Sequence, residues 1–423
     1  MFFRSSSALV DVPSDLTRVE SFGPEDDPAD CGVTRKDVES IWDAARSAYR
    51  AGVYPALTLC IRRRGHTVLQ RGIGHLRGNE PGAGPGVERV PIRYDSPFCV
   101  FSASKAITAM VIHHLDERGL IRLDDRVCEY IPAFARNGKR WVTIRHVLTH
   151  RAGIPTVPGE HADLDVVADW DRVVELLCDA KAVSRAGRRL SYHAITGGFI
   201  LGEVVRQVTG QRIEDYLAEW ILRPIGLDGM TYGIAPEHLH TVAHNTFTGP
   251  PIPGMISPII RRALGVPFEM ACEVSNDPRY LCSVVPSGNV VANAWQCARF
   301  YEMLLNGGEL DGVRVFDERT IRRATLESSY LEMDFTIGLP LRYGMGLMLG
   351  DEPVGLFGPK TRHAYGHLGF INVFTWADPD RDISVALLTS GKPFISTHWI
   401  SVYRLLSRIG RHMPLHERIS WPA

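Results

Sequence analysis

The stretch Phe98-Cys99-Val100-Phe101-Ser102-Ala103-Ser104-Lys105 decides how this chain is read. Asp95-Ser96-Pro97 before it has the composition of a turn, and 98–101 is a short apolar run of buried character. Beyond it, Ile107, Met110, Val111 and Leu115 recur at helical spacing until Gly119. The tetrad Ser102-Ala103-Ser104-Lys105 therefore opens a helix. A serine in the first turn has its backbone N–H free, and a lysine three residues later lies on the same face. That spacing brings a nucleophile and a proton acceptor within reach of each other. Ser104, one place before Lys105, faces away from it. Lysine is sparse in this chain: six of the 47 basic residues are Lys. A four-residue motif is weak by itself, and its simpler reading is a serine cap beside a solvated lysine. Its surroundings decide between the two.

A chain of 423 residues with 45% hydrophobic content can bury a sizeable core, in two or three domains or one large domain with insertions. The net charge is −1 and no long basic block occurs, so nucleic acid is not an expected partner. Eight cysteines are scattered without a Cys-x-x-Cys pair, and those in apolar runs, such as Cys60 and Cys178, read as small buried hydrophobes. Residues 1–32 lack a basic segment leading into a continuous apolar run, and no stretch reaches the ~18 apolar residues of a spanning helix. The expectation is a cytoplasmic protein without a transmembrane segment. The glycine-rich stretch 78–86 reads as a plain loop, since Pro85 interrupts it and no helix follows, and no cofactor is expected.

Residues 1–33 are rich in Ser, Asp and Pro and read as an arm without its own core. A helix is predicted over 34–52, with Val38, Ile41, Trp42, Ala45 and Tyr49 on one face. Two strands follow at 56–63 and 66–73 around Arg64-Gly65. Helical patterning dominates 102–233, and the proline-rich, aperiodic stretch 235–285 reads as an irregular insertion. A helix at 292–305, strands at 370–376 and 383–388, and a last helix at 397–408 complete the pattern. Strands at both ends of the chain with helices between them predict an α/β (α+β) sandwich: an antiparallel sheet flanked by helices, from 34–115 and 290–410, beside a mostly helical subdomain at 116–289.

A serine–lysine pair needs a further polar group to relay protons and donors to hold an oxyanion. Leu190-Ser191-Tyr192-His193-Ala194 offers a tyrosine just before a helix, and His367-Leu368-Gly369 precedes a late strand. In this order the motifs resemble those of the serine β-lactamase and penicillin-binding protein superfamily, and within it the class C-like esterases of family VIII. The resemblance covers most of 34–410. It extends to Val142-Thr143-Ile144-Arg145-His146-Val147-Leu148-Thr149-His150-Arg151-Ala152-Gly153-Ile154, to Arg223-Pro224-Ile225-Gly226-Leu227 and to Pro286-Ser287-Gly288-Asn289. It implies a β-lactamase/transpeptidase-like fold, Ser102 as nucleophile, Lys105 as the group easing its deprotonation, and Tyr192 as proton shuttle. His367 and Gly369 would fall on the family's Lys-Thr-Gly strand, and the backbone N–H groups of Ser102 and Phe370 would form the oxyanion hole. Two departures bear on the substrate. Ala194 stands where lactamases carry an Asn that contacts the β-lactam side chain, and His367 where they carry a Lys that helps to bind the lactam carboxylate. Arg151-Ala152 also departs from the common Thr-Ser, with no role attached, and His150 reads as structural.

The expected activity is hydrolysis of carboxylic esters through a Ser102 acyl-enzyme, on small molecules with an apolar acyl chain. A β-lactamase, D-Ala-peptide hydrolase or acyltransferase of the same fold is one alternative, and a catalytically idle ligand-binding sensor another. The spacing of His238, His240 and His244 is metal-like, but Val242 stands where a carboxylate would complete it, and no metal is expected. No Gly-x-Ser-x-Gly elbow occurs, which speaks against an α/β-hydrolase. Within 235–285 the apolar residues, Ile256, Ile260, Leu264 and Phe268 among them, read either as packing the insertion onto the helical subdomain or as lining, in part, the acyl side of a groove.

Overall fold

The structure is a computed structural model that describes residues 8–156, 164–255, 257–394 and 396–415. Its main sheet has ten strands: β1 (Glu20–Phe22), β2 (Ala56–Arg63), β3 (His66–Arg77), β4 (Val90–Pro91), β5 (Ser329–Met333), β6 (Pro340–Tyr343), β7 (Met348–Leu349), β8 (Tyr365–Gly369), β9 (Val373–Asp378) and β10 (Ile383–Thr389). The order is β1-β3-β2-β10-β9-β8-β7-β6-β5, with β4 on β3, and every pairing is antiparallel. The two ends of the chain meet at the β2–β10 pair, where Leu57 faces Thr389 and Arg63 faces Ile383.

The five longest helices among the described residues are α1 (Arg35–Tyr49), α2 (Ser104–Glu117), α3 (Thr196–Thr209), α4 (Ala294–Leu305) and α5 (His398–His412). Thr34 and Asp37 close a reciprocal capping box at the start of α1, which fixes where that helix begins. Side chains alternate across a strand, and the sheet uses both faces. Leu57, Leu59 and Ile61 of β2 pack with Trp42 and Tyr49 of α1 and Leu405 of α5. Ala56 and Cys60 of the same strand pack instead with Met110 of α2 and Phe300 of α4. Both faces are therefore apolar, which is why β2 reads as a continuous hydrophobic run.

A small antiparallel sheet of Phe98–Cys99, Val290–Ala292 and Thr231–Tyr232 carries the chain into the Ser-Ala-Ser-Lys turn. The Val100 N–H donates to Val290 O at 2.8 Å, fixing that turn against the strand. No helix among the described residues is long and apolar enough to cross a membrane.

Three local expectations are corrected. The strand read at 370–376 starts only at Val373, as β9; its first three residues, Phe370-Ile371-Asn372, are the loop that joins β8 to β9, with Gly369 facing Val373. Ile371 and Asn372 adopt positive φ without a glycine, so the loop left no turn signal. The N-terminal arm supplies the edge strand β1, and its Leu16, Val19 and Cys31 are buried in the core beside α1. The stretch read as irregular holds the helices Ser257–Leu264 and Phe268–Val274, each too short to establish a period in a window of 11 or so residues. The strands β5, β6 and β7 also went unread, because two to five residues give too little alternation to see.

Candidate active site

Ser102 lies in a single 3-10 turn, Phe101–Ala103, that runs directly into α2. Phe101 before it has φ of +50°, a left-handed conformation that a bulky residue adopts only when its surroundings hold it there. Gly369 is one of those surroundings. A Cβ at that position would meet Val100 O at 2.3 Å and Val373 Cβ at 2.8 Å, so only glycine lets the end of β8 lie against the turn. Phe370 follows, its ring 5.3 Å from the Phe101 ring, which brings the backbone after Gly369 beside Ser102.

Lys105 is buried, and each direction around its amine is occupied. Nζ donates to Ala194 O at 2.7 Å and to Ser287 O at 2.9 Å, and it lies 3.2 Å from Ser102 Oγ. Burial pushes its pKa well below the ordinary lysine value of 10.5. A neutral amine has two N–H donors and one lone pair. With both donors turned to these carbonyls, the lone pair of the neutral form would face the Ser102 hydroxyl. Ser104 is wholly buried, and its Oγ accepts from the Val290 N–H at 2.9 Å.

Tyr192 completes the group. Its ring lies under Lys105 Nζ, 4.8 Å from the centroid, and its phenol hydrogen-bonds Ser102. Burial raises the Tyr192 pKa far above the ordinary range, against the opposite pull of Ser102, so the group is a phenol and not a phenolate. The segment that carries it has no regular structure, yet three successive backbone N–H groups are held. Ser191 donates to His150 O at 2.9 Å, Tyr192 to Asp334 Oδ1 at 3.1 Å, and His193 to His150 Nδ1 at 3.2 Å. The His150 ring also packs 4.7 Å from the Tyr192 ring.

His367 lies on β8 with its ring 6.4 Å from that of Tyr192. Its Nδ1–H donates to Leu368 O at 2.7 Å. Burial and the neighbouring Lys105 lower its pKa to about 3, and the same causes bring His193 to about 3. At neutral pH these histidines carry no charge, so His367 does not replace the positive charge of a lysine.

Beside Ser102 opens a cleft of about 180 Å³. Phe101, Ala194, Phe199 and Phe370 line it near the serine; Leu264, Val266, Ala271 and Val274 line it from the 235–285 stretch. Ile260 is not among them. It is buried against Phe268, Cys272 and Phe370, and so supports the wall from behind. Ile256 lies outside the described residues. Of the apolar residues read in that stretch, Leu264 lines the cleft and Ile260 lies behind it, because a helix of eight residues has an inner and an outer apolar edge that periodicity does not separate.

Three contributing residues were missed or underread. Ser287 accepts from Lys105 with its carbonyl while its Oγ accepts from the Gly198 N–H and donates to Ile195 O. His150 anchors the Tyr192 segment, and its signal was the Leu148-Thr149-His150 stretch. Asp334 left no signal at all: it arrives from a loop far along the chain, accepting from Tyr192, Thr336 and Ile337. The three spaced histidines do not converge. His240 Nδ1–H donates to Glu237 O, His244 Nδ1 lies 3.4 Å from Glu80, and no metal-holding group of His, Cys, Asp or Glu exists among the described residues.

A serine with a buried lysine amine and a phenol at its oxygen is equipped for acyl transfer. A sequence profile of the beta-lactamase family matches residues 41–398. The chain belongs to the beta-lactamase family. Esterase/beta-lactamase LipL of Mycobacterium tuberculosis (strain ATCC 25618 / H37Rv) is 30% identical over 336 residues, 75% of this chain and 76% of that protein. N-acetylmuramyl-L-alanine amidase of Bacillus subtilis (strain 168) is 24% identical, over 81% of this chain and 78% of its own. The crystal structure of a family VIII carboxylesterase superposes with a TM-score of 0.76 at 25% identity, covering 89% of this chain and 98% of that one. This member of the beta-lactamase family is a serine hydrolase with the β-lactamase/transpeptidase-like fold.

Proposed function

We propose that this serine hydrolase cleaves neutral carboxylic esters with an apolar acyl chain, through an acyl-enzyme on Ser102. One observation carries the reading: none of the described residues lining the cleft beside Ser102 is charged. A β-lactam or a peptide ending in D-Ala presents a carboxylate, and a buried carboxylate without a cation is costly. The position where a lysine would meet it holds His367, which burial keeps uncharged. A neutral ester meets no such penalty.

In the proposed reaction the Lys105 lone pair takes the Ser102 proton as Oγ attacks the ester carbonyl carbon. The N–H groups of Ser102 and Phe370 receive the oxyanion. Lys105 then returns the proton through the Tyr192 phenol to the leaving oxygen, and the alcohol departs as the carbonyl re-forms. Water repeats the attack on the acyl-enzyme, giving the carboxylic acid and free Ser102. The relatives named for esterase activity support this reading, and the amidase shows what else the same fold carries.

The test is a fluorophosphonate label together with a substrate panel. Ser102→Ala should abolish labelling and Ser104→Ala should retain it; equal labelling of both would remove Ser102 from its role. On p-nitrophenyl esters, kcat/KM should rise from acetyl to hexanoyl, by up to roughly fourfold per methylene at ~0.8 kcal/mol each. Nitrocefin and a D-Ala-D-Ala peptide should be turned over orders of magnitude more slowly. Faster turnover of either than of every ester would overturn the substrate assignment. Leu264→Ser should flatten the chain-length dependence while leaving acetyl-ester hydrolysis largely intact.

A further inference from the structure

On the opposite face of the sheet, α5 shows a second organised surface. Its inner side, Val402, Leu405, Leu406 and Ile409, is buried in the core. Its outer side begins with Trp399, Ile400 and Tyr403, which are 44%, 55% and 37% exposed. It continues one turn at a time into Arg404, Arg408 and Arg411, all exposed. The helix contains no acidic residue. Arginines elsewhere in the molecule are mostly ion-paired, as Arg46, Arg71 and Arg342 are. Among the described residues these three pair with no carboxylate, and the nearest polar contact is Arg408 Nη1 to Ser40 Oγ at 3.5 Å.

The three arginines also wall a groove of about 450 Å³ between α1 and α5, whose other side offers Ser40 and Ser47. The single carboxylate in it, Asp43, is bonded to Arg46 at 2.9 Å. Guanidinium forks beside serine hydroxyls suit phosphate oxygens. Aromatic and branched side chains on the same helix face suit the boundary between headgroups and acyl chains. The apolar end of this face also borders the wall of the cleft. The Trp399 Nε1–H donates to Phe394 O, the Phe394 ring lies 5.2 Å from Phe268, and Phe268 lies 4.6 Å from Phe370.

We propose that the outer face of α5 docks the enzyme on an anionic phospholipid surface, with Arg404, Arg408 and Arg411 on headgroup phosphates and Trp399, Ile400 and Tyr403 in the interfacial layer. The proposal is independent of which ester is cleaved. An isolated phosphate in solution would use only the arginine half, whereas a bilayer surface engages the whole face.

The experiment is flotation of the full chain with vesicles of phosphatidylcholine alone or mixed with phosphatidylglycerol. Binding should require phosphatidylglycerol and weaken with salt. Replacing all three arginines by Gln should lower affinity on the order of 100-fold, at roughly fivefold for each cation near an anionic surface. Trp399→Ser with Ile400→Ser should weaken it while leaving the salt dependence. Both variants change exposed side chains and should hydrolyse a short soluble ester at the wild-type rate, which reports intact folding. Equal binding to both vesicle types, or unchanged binding by the arginine variant, would overturn the proposal. So would saturable binding of inorganic phosphate without flotation, or a dimer in light scattering that the same substitutions dissolve.

Discussion

Lys105 is the residue whose chemistry is most exposed to measurement. Its folded pKa lies well below 10.5, so between that depressed value and 10.5 the unfolded chain holds a proton that the folded chain does not. Stability therefore rises with pH across that window. Lys105→Met should remove this slope from urea-unfolding midpoints and lower kcat by about 10²–10⁴-fold. A wild-type slope retained in the variant would show that the buried amine is charged. Tyr192 depends on Asp334, whose Oδ1 serves three backbone N–H groups and whose Oδ2 accepts from the Tyr343 hydroxyl at 3.3 Å. Asp334→Ala strands those donors at a cost of about 1–3 kcal/mol each. We expect a lower melting temperature and a fall in kcat with KM little changed. Asp334→Asn keeps an oxygen at Oδ1 and should recover most of the rate. If both variants lose stability but neither loses kcat, Asp334 serves the fold and not Tyr192.

At the level of elements, the site depends on two chain segments that approach because one of them lacks a side chain. Strand β8 ends at Gly369, against Val100 and one residue before Phe370. In Gly369→Ala the new methyl meets Val100 O at 2.3 Å, and backbone cannot yield as a flexible side chain can. The end of β8 must shift away from the Ser102 turn. A displacement near 1 Å at a reacting centre costs about 10²-fold in rate, so kcat/KM should fall by at least that much. Ser104→Ala is the contrasting case within α2. It leaves the Val290 N–H without its acceptor and should lower stability by about 1–3 kcal/mol while the rate per folded molecule stays near wild type. Measuring both variants separates the two ends of the same turn. Comparable rate losses in the two would mean that the whole turn, and not the β8 contact, positions Ser102.

Across the whole molecule, buried histidines set the response to acid. His113, His114 and His398 are lowered to about 4, and His193 and His367 to about 3, each chiefly by burial. Below 6.5 the unfolded chain takes up protons on these rings that the folded chain refuses until pH is near 3–4. Stability should therefore fall steeply as pH drops from 6.5 toward 4. Urea midpoints measured over that range give the slope. A flat profile would mean that the rings are protonated in the native state. Replacing His113 by Phe should reduce the slope, although its bond to Met345 O at 2.9 Å is then lost.

The sequence by itself determined the pieces whose physics is local. The Ser102–Lys105 spacing on one helical face, the stripe of α1, and the apolar runs of β2 and β10 are all statements about residues a few positions apart. The order of motifs along the chain then tied them to a family and its fold. Tertiary structure decided what lies between segments far apart in the chain. It showed that the Ala194 and Ser287 carbonyls accept from the Lys105 amine, and that Asp334 and His150 hold the Tyr192 backbone. It also set which edge of the helix Ser257–Leu264 faces the cleft. These contacts depend on backbone carbonyls and carboxylates that any sequence supplies in abundance. Only closure of the chain selects which of them meet, and no spacing rule over a few residues contains that information.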